Sequence, residues 1–388
     1  MTITAPKGFR AAGIIAGIKA SGKPDLALVV NDGPSKAAAA VFTSNRVAAA
    51  PVHWSRQVVS DGRVDAVVLN SGGANACTGP QGFQNTHATA EKVAAVLGIS
   101  ASDVVVCSTG LIGEQLPMDK IIPGVEAAAK ELSEDGGAAA ATAIMTTDSV
   151  SKEAVFAGKD AEGKPFTVGG IAKGAGMLAP GLATMLVVLT TDAEVPANEL
   201  DVVLRDATRV TFDRADSDGC MSTNDTVVLL ASGASEALPS AEQLSEAVTA
   251  VCAELARKLI GDAEGASHDI AIRTFNAASE RDAETVSRSV ARSNLFKAAI
   301  FGKDPNWGRV LSAVGTTDAV FEADQLNVAM NGIQICRNGA IGDDRNLVDL
   351  EPREVLVEID LQAGDAEATI WTNDLTHDYV HENSAYSS

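Results

Sequence analysis

A glycine-rich segment that leads directly into an apolar run is the feature that most constrains how this chain can fold. The segment Gly169–Ala193 reads GGIAKGAGMLAPGLATMLVVLTTDA. The glycines and Pro180 in its first half argue against a regular element there. The run Thr184–Leu189 is apolar and contains β-branched residues, which predicts a strand buried on both faces. The sequence therefore predicts an irregular loop that feeds a central strand at Thr184.

A threonine at such a junction has a chemical use as well as a structural one. Its hydroxyl is a poor nucleophile unless a base lies beside it, and the α-amino group of an N-terminal threonine is one such base. This use requires the chain to be cut between Ala183 and Thr184. Taken alone, Thr184 is more simply explained as the first residue of a strand, where threonine is common.

The same segment resembles two nucleotide-binding motifs, a dinucleotide-binding glycine pattern and a Walker loop, but fits neither. Gly174–Ala179 fits the dinucleotide pattern G-x-G-x-x-A, but that pattern needs a helix that begins at the second glycine. Pro180 and Gly181 would end such a helix within one turn. A Walker loop is excluded because Lys173 is followed by Gly174 rather than by Ser or Thr.

Composition indicates an α/β protein of two or three lobes. The chain has 388 residues, of which 46% are hydrophobic and only 4% aromatic. No apolar run reaches the roughly 18 residues of a membrane helix, and the N-terminus does not resemble a signal peptide. We therefore expect a cytoplasmic protein. The net charge of −21 argues against nucleic-acid or anionic-membrane partners.

The cysteines and histidines do not predict a metal site. The five cysteines are scattered and never form C-x-x-C, which predicts buried, reduced thiols. Cys107 and Cys220 lie in motif blocks and could act as nucleophiles, but each is more simply explained as a small core residue. The histidines show no metal-ligand spacing, and the C-terminal segment that contains His377 and His381 is predicted to be irregular.

Periodicity predicts helices that alternate with strands, as in layered α/β folds. Ser240 and Gln243 form a capping box that opens a long helix to Ile260. The predicted strands are Asp25–Asn31, Ala38–Thr43, Asp65–Asn70, Asp103–Ser108, Val150–Gly158, Pro165–Lys173, Thr226–Ala231, His268–Phe275, Leu326–Met330, Glu354–Leu361 and Ala368–Thr372. Other predicted helices are Gln84–Leu97, Pro123–Leu132, Pro196–Val210 and Arg281–Ala299. The last hundred residues form a separate lobe.

Six sequence blocks resemble the ornithine acetyltransferase, or ArgJ, family. The segment KGAGMLAPGLATMLVVLTTDA is similar to the self-cleavage region of that family. The other blocks follow in the family's order and extend almost from end to end of the chain. They are LNSGGANACTG (Leu69–Gly79), CSTGLIGEQLP (Cys107–Pro117), SDGCMSTNDTV (Ser217–Val227), SRSVARSNLFKAAIFGKDPNWGRV (Ser287–Val310) and WTNDLTHDYVHENSAYSS (Trp371–Ser388).

The resemblance implies a layered α/β core of the self-processing N-terminal-nucleophile type, with a smaller C-terminal α/β lobe. Cleavage would give two chains, 1–183 and 184–388, that stay associated, and the family suggests an α2β2 assembly. In the second chain, residues from 184 to about 275 would complete the core, and those from about 276 to 388 would form the lobe.

The resemblance also implies the chemistry. Thr184 would take acetyl from N2-acetyl-L-ornithine and pass it to L-glutamate, with Thr109 and Gly110 as the oxyanion hole. The implied substrate-binding residues are Thr147, Lys173, Thr184, Glu264, Asn383 and Ser388. Lysine suits carboxylate groups and glutamate suits ammonium groups. No metal or cofactor is implied, although acetyl-CoA could serve as a second acetyl donor.

Two other functions fit the same residues. A self-processing amidase or aminopeptidase with an N-terminal nucleophile would use water as the acceptor in place of glutamate. A non-catalytic α/β protein that binds acidic amino acids would remain a single chain without acetylated threonine. Without the resemblance, Thr109-Gly110 is an ordinary turn after a strand, and Lys173 and Glu264 are solvent-facing loop residues.

Overall fold

The computed structural model of the protein describes residues 2–179 and 185–385, within which the chain forms three β-sheets and ten α-helices. The strands are β1 (Phe9–Ile14), β2 (Leu26–Asn31), β3 (Ala37–Phe42), β4 (Ala66–Ser71), β5 (Val104–Thr109), β6 (Lys152–Lys159), β7 (Pro165–Lys173), β8 (Leu186–Thr191), β9 (Thr226–Ala231), β10 (Asp269–Ala277), β11 (Asn327–Met330), β12 (Ile333–Arg337), β13 (Ala340–Ile341), β14 (Glu354–Asp360) and β15 (Ala366–Asn373). The helices are α1 (Ala50–Val58), α2 (Gly79–Leu97), α3 (Met118–Lys130), α4 (Gly137–Ala143), α5 (Ala197–Val210), α6 (Ala241–Gly261), α7 (Glu280–Ala291), α8 (Asn294–Phe301), α9 (Trp307–Val314) and α10 (His377–Ala385).

Two of the sheets pack face to face in the core. One has the strand order β1-β2-β4-β5 and the other β3-β9-β8-β7-β6. The buried cluster between them takes residues from both sheets, for example Val29 and Leu69 from the first and Val188 and Leu230 from the second. Alternate strand residues point to opposite faces, so each sheet also has an outer apolar face.

Helices cover those two outer faces. Helices α2 and α3 pack on the four-stranded sheet through residues such as Val93 and Val125. Helices α5 and α6 pack on the five-stranded sheet through residues such as Leu204 and Leu255. The core is therefore a helix–sheet–sheet–helix sandwich, and the predicted layered α/β fold is confirmed.

Strand β8 lies in the middle of the five-stranded sheet. It pairs antiparallel with β7 and parallel with β9, and all six of its residues are buried. The prediction of a central strand buried on both faces is thus confirmed. The strand begins at Leu186, two residues later than predicted, and Pro180–Thr184 lie outside the described residues.

The glycine-rich half of the central segment begins inside β7, which ends at Lys173 as the strand prediction Pro165–Lys173 has it, so Gly169 and Gly170 do not interrupt regular structure. Glycine permits close packing here. A Cβ at Gly169 would lie 2.6 Å from the carbonyl oxygen of Thr2, and one at Gly170 would lie 2.7 Å from a methyl carbon of Leu189. The glycines of β7 therefore serve packing within a strand rather than breaking it.

The third sheet, with strand order β13-β12-β11-β14-β10-β15, belongs to the C-terminal part of the chain. One of its faces packs on α7, α8 and α9 through a buried cluster that includes Val286, Phe296 and Val310. Strand β10 pairs with both β14 and β15 and begins at Asp269. It therefore joins the third sheet although it starts before the proposed boundary near residue 276.

Four other sequence predictions need correction. The predicted helix Arg281–Ala299 is two helices, since Ser293 caps a new one by accepting a hydrogen bond from the Phe296 N–H. Helix α3 begins at Met118, which puts Pro123 inside it rather than in its first turn. The C-terminal segment forms α10, and two of the five free cysteines, Cys77 and Cys220, are exposed.

Two further predictions hold. Ser240 and Gln243 form the expected capping box, with reciprocal hydrogen bonds of 3.2 and 2.9 Å between side chain and backbone. Across residues 2–179 and 185–385, no helix has the length and apolar character needed to span a bilayer.

Candidate active site

One cavity of about 290 Å³ brings together every described residue that the sequence predicted for substrate binding and oxyanion stabilisation. Its lining includes Thr109, Gly110, Thr147, Lys173, Glu264 and Asn383. These residues come from both core sheets, from three loops and from α10, so they are distant in sequence. Ala183, Thr184 and Ser388, the other predicted residues, lie outside the described residues.

Thr109 and Gly110 stand where β5 ends. The Thr109 carbonyl accepts hydrogen bonds from the N–H groups of Gly72 (2.9 Å) and Gly73 (3.0 Å), which fixes this turn. Gly110 has a φ of 133°, and a Cβ there would lie 2.5 Å from the Gly73 nitrogen. Gly110 lines the cavity, and outside the strand ladders no hydrogen bond joins its N–H to another described residue.

Lys173 is the last residue of β7 and is almost fully buried, with 2% of its surface exposed. Its Nζ donates to the Thr109 Oγ1 at 3.2 Å. Burial lowers the pKa of the Lys173 ammonium, while the negative charge of Asp148 opposes this shift. The expectation of a solvent-facing Lys173, drawn without the resemblance, is therefore wrong.

A buried ion-pair network reaches Gly174, the residue after Lys173, and its charges act on Lys173. The Asp148 Oδ1 accepts hydrogen bonds from the Lys152 Nζ (2.6 Å) and from the Gly174 N–H (2.7 Å). Lys152 also pairs with Asp262 at 2.6 Å. Burial acts to raise the pKa of Asp148, but the positive charges of Lys173 and Lys152 outweigh it and bring that pKa down to about 2.

Glu264 ties two elements of the cavity wall together. Its Oε1 accepts from the Thr147 hydroxyl at 2.7 Å, and its Oε2 accepts from the Asn383 amide at 3.0 Å. Its own N–H donates to the carbonyl of Ala175 at 2.9 Å. A Cβ at Gly176 would lie 2.5 Å from Oε2, so glycine there leaves room for the carboxylate.

The turn that contains Ser217 and Asp218 holds the segment that precedes the proposed cleavage site. The Met177 N–H donates to the Asp218 Oδ2 at 2.7 Å, and the Ser217 N–H donates to the Leu178 carbonyl at 2.6 Å. Met177 has a φ of 57°, which is uncommon for a residue with a side chain. These contacts hold Met177 in that conformation at the edge of the cavity.

Sequence reasoning did not single out three cavity residues from the block SDGCMSTNDTV, namely Ser222, Thr223 and Asn224. The Asn224 amide donates to the carbonyls of Ala74 (2.6 Å) and Ser108 (2.8 Å), so it joins this turn to the end of β5. The family resemblance of the block was the available signal. The polar residue types alone gave none, because they also occur in ordinary turns.

The cavity brings polar and charged groups together. Its lining includes Thr109 and Gly110, the buried Lys173 that donates to the Thr109 hydroxyl, and Glu264. Within 2–179 and 185–385, no group of three His, Cys, Asp or Glu side chains is arranged to hold a metal ion.

The sequence was compared with known proteins. The ArgJ family model matches residues 10–388. A Streptomyces coelicolor protein named arginine biosynthesis bifunctional protein ArgJ is 67% identical over 388 residues, which cover 100% of both chains. A Streptomyces avermitilis protein of the same name is 66% identical over the same length and coverage.

Solved structures were compared as well. The crystal structure of Mycobacterium tuberculosis ornithine acetyltransferase complexed with ornithine is 55% identical to this chain. The match covers 48% of this chain and 96% of that chain, with a TM-score of 0.43.

Proposed function

Because the chain belongs to the ArgJ family of arginine-biosynthesis enzymes, we propose that it moves an acetyl group from N2-acetyl-L-ornithine to L-glutamate. One observation carries this proposal: the described residues that the family resemblance implicates, far apart in sequence, line a single cavity. A cavity of about 290 Å³ suits a ligand the size of an acetylated amino acid, at the lower end of small-molecule sites.

The carrier of the acetyl group is Thr184, made an N-terminus by cleavage of the Ala183–Thr184 bond. Met185, the next residue, is buried and leads straight into β8. The new α-amino group has a reference pKa of roughly 7.7–8.0, so about a tenth to a fifth of it is unprotonated at neutral pH. The two chains remain together because β7, from the first chain, pairs with β8, from the second.

The first half-reaction forms an ester. The α-amino nitrogen accepts the hydroxyl proton while the Oγ attacks the acetyl carbonyl carbon, which gives a tetrahedral oxyanion. The Gly110 N–H and the Thr109 hydroxyl stabilise this charge. Lys173 donates to the Thr109 oxygen, which leaves the Thr109 hydrogen free to point at the oxyanion. The C–N bond then breaks, the proton moves to the departing nitrogen, and ornithine leaves.

The second half-reaction reverses these steps with glutamate as the acceptor. Ornithine and glutamate share an α-amino acid group but have side chains of opposite charge. The ammonium of Lys173 suits a carboxylate group, and the carboxylate of Glu264 suits an ammonium group. Thr147 and Asn383 hold the Glu264 carboxylate at the cavity, and we propose that they contact substrate together with Ser388. We propose that no metal or cofactor takes part.

Omission of glutamate tests the proposal. With N-acetylornithine alone, the transferase releases at most one ornithine per active site and then stops with an acetyl group on the second chain. A hydrolase of the same architecture keeps releasing acetate, and a binding protein releases neither product. The Thr184→Ser variant keeps a hydroxyl nucleophile and serves as a matched control for Thr184→Ala.

Three finer points complete the proposal. The relatives are named bifunctional, and we propose acetyl-CoA as a second donor, which thiol release in the presence of glutamate would test. We propose an α2β2 assembly of two cleaved pairs, which light scattering of the purified protein would test. We propose that the enzyme acts in the cytoplasm, which cell fractionation would test.

A further inference from the structure

The ends of three neighbouring strands of the five-stranded sheet, β7, β8 and β9, lie side by side near the cavity. Lys173 at the end of β7 pairs with Leu186 at the start of β8, and Leu186 pairs with Thr226 at the start of β9. Asp225 is one residue before β9. It is therefore on the other side of the start of β8 from Lys173.

The carboxyl group of Asp225 is fully buried, with 0% of the residue exposed. Its Oδ1 accepts a hydrogen bond from the Met185 N–H at 3.0 Å. Its Oδ2 is also buried and forms no hydrogen bond of normal geometry with a described residue, although the Ser222 side chain interacts with this carboxyl group. The backbone holds this arrangement, because the Asp225 carbonyl accepts from the Thr43 N–H at 3.0 Å and the Thr226 N–H donates to the Met185 carbonyl at 3.2 Å.

Burial raises the pKa of Asp225 well above its ordinary value, against the opposing effects of the Met185 N–H, of Ser222 and of the Lys173 charge. The carboxyl group is therefore easier to protonate than that of an exposed aspartate. A buried polar group without a partner is unfavourable, so such a group calls for an explanation. The proposed cleavage before Thr184 offers an explanation, because Asp225 binds the Met185 N–H and the Met185 nitrogen is bonded to the carbonyl carbon of residue 184.

We propose that Asp225 is a positioning residue for Thr184: its buried Oδ1 accepts the Met185 N–H and so fixes the peptide nitrogen through which residue 184 is joined to β8. This inference rests on the proposed function, because it matters only if Thr184 is the nucleophile. Asp225 acts through the backbone of the nucleophile and is distinct from the oxyanion donors at Thr109 and Gly110.

Three substitutions at position 225 test the proposal in the full-length chain. Asp225→Asn is neutral and keeps an acceptor for the Met185 N–H, whereas Asp225→Ala and Asp225→Leu remove that acceptor. The measurement is the rate at which freshly purified chain is cut, read by intact mass, with the unfolding temperature as the test of folding. We expect Asp225→Asn to be cut within about threefold of the wild-type rate. We expect the apolar variants that fold to be cut about 100-fold more slowly, as for a misplaced reacting group.

Asp192, which follows the opposite end of β8, provides a matched control. It is buried and accepts hydrogen bonds from the N–H groups of Thr167 (2.8 Å) and Lys7 (3.1 Å). Asp192→Ala is expected to lower the unfolding temperature and to leave the cutting rate of the folded protein unchanged. A purely structural role of Asp225 predicts this same behaviour for its apolar variants.

Two outcomes overturn the inference. One is a folded Asp225→Ala or Asp225→Leu chain that is cut at the wild-type rate. The other is a folded Asp225→Asn chain that fails to be cut although it keeps an acceptor for the Met185 N–H, whatever the apolar variants do. Failure of the proposed function looks different: a Thr184→Ala chain would then be cut or remain active, independently of any change at Asp225.

Discussion

The Lys173 Nζ donates a hydrogen bond to the Thr109 Oγ1 over 3.2 Å, and this contact joins the ends of strands in two different sheets. Both residues are buried, with 2% and 3% of their surfaces exposed. Because lysine is a donor without acceptor capacity, the Thr109 oxygen must accept, and its own hydrogen is left to donate. The sheet-to-sheet packing of the core therefore sets the direction of the Thr109 hydroxyl, which we propose as an oxyanion donor.

Replacement of Lys173 by methionine tests this contact. Methionine fills a similar volume but cannot donate, so the Thr109 hydroxyl loses its orienting partner. We expect the rate of ornithine release to fall by about 10²–10³, the typical effect of removing one oxyanion donor. The unfolding temperature separates this effect from misfolding. A folded Lys173→Met enzyme with wild-type turnover would contradict the assigned role.

Gly110→Ala is expected to impair both folding and transfer. The φ of 133° and the 2.5 Å approach of a Cβ to the Gly73 nitrogen force the turn to move, at a cost of roughly 1–3 kcal/mol. Gly113→Ala is the matched control, since Gly113 also has a positive φ, of 87°, but a Cβ there meets nothing within 4 Å. Urea unfolding and ornithine release should show a larger loss at position 110. Equal losses would indicate that backbone conformation alone matters.

Gly176→Ala is expected to displace the Glu264 carboxylate. The new Cβ would lie 2.5 Å from Oε2, which Asn383 holds, so the carboxylate must give up part of its hydrogen bonding. The loss of one hydrogen bond to a charged group predicts an increase in KM for N-acetylornithine of about 10-fold or more. Gly308→Ala is the control, because its Cβ would meet Asn306 at an ordinary 3.4 Å. An unchanged KM in Gly176→Ala would contradict the role given to Glu264.

The low pKa of Asp148 predicts how stability depends on pH. The positive charges of Lys173 and Lys152 keep this pKa at about 2, below the ordinary value of 3.8. A lowered pKa stabilises the folded state above about pH 4, and the contribution of roughly 2 kcal/mol is lost as pH falls toward 2. The stability difference between wild type and Asp148→Asn should therefore shrink between pH 5 and pH 2. We would measure it by urea unfolding in a Thr184→Ala background, which we expect to remain one chain.

Asp343→Asn serves as the control for that pH series, because Asp343 is exposed and its pair with Arg337 is long, at 3.5 Å. Such a surface pair contributes little to stability. A difference for Asp148→Asn that stays constant from pH 5 to pH 2 would contradict the charge network around Asp148.

Local pattern was enough to predict the elements that carry the site. The apolar runs identified β5 and β8, and the strand Pro165–Lys173 matches β7 to the residue. In contrast, the contact between Lys173 and Thr109 and the burial of Asp225 depend on how distant strands pair. Strand order is a non-local property, and polar residues in turns give no signal of it.

Helix α10 is another feature that local sequence pattern could not predict. Its sequence, HDYVHENSA, lacks an apolar face, and none of its described residues is buried, so periodicity could not reveal it. Tertiary contacts fix where it begins. The Thr376 hydroxyl accepts from the Tyr379 N–H at 2.9 Å and donates to the Gly265 carbonyl at 2.6 Å. Gly265 belongs to the loop that contains Glu264, so this hydrogen bond connects the start of α10 to the cavity wall.

The intact mass of the purified enzyme after incubation with N-acetylornithine in the absence of glutamate tests the central claim most directly. We predict two chains, 1–183 and 184–388, with one acetyl group on Thr184 of the second chain and none in a Thr184→Ala sample, which should remain uncut. A single unbroken chain of 39.8 kDa that transfers acetyl at the full rate would contradict the account.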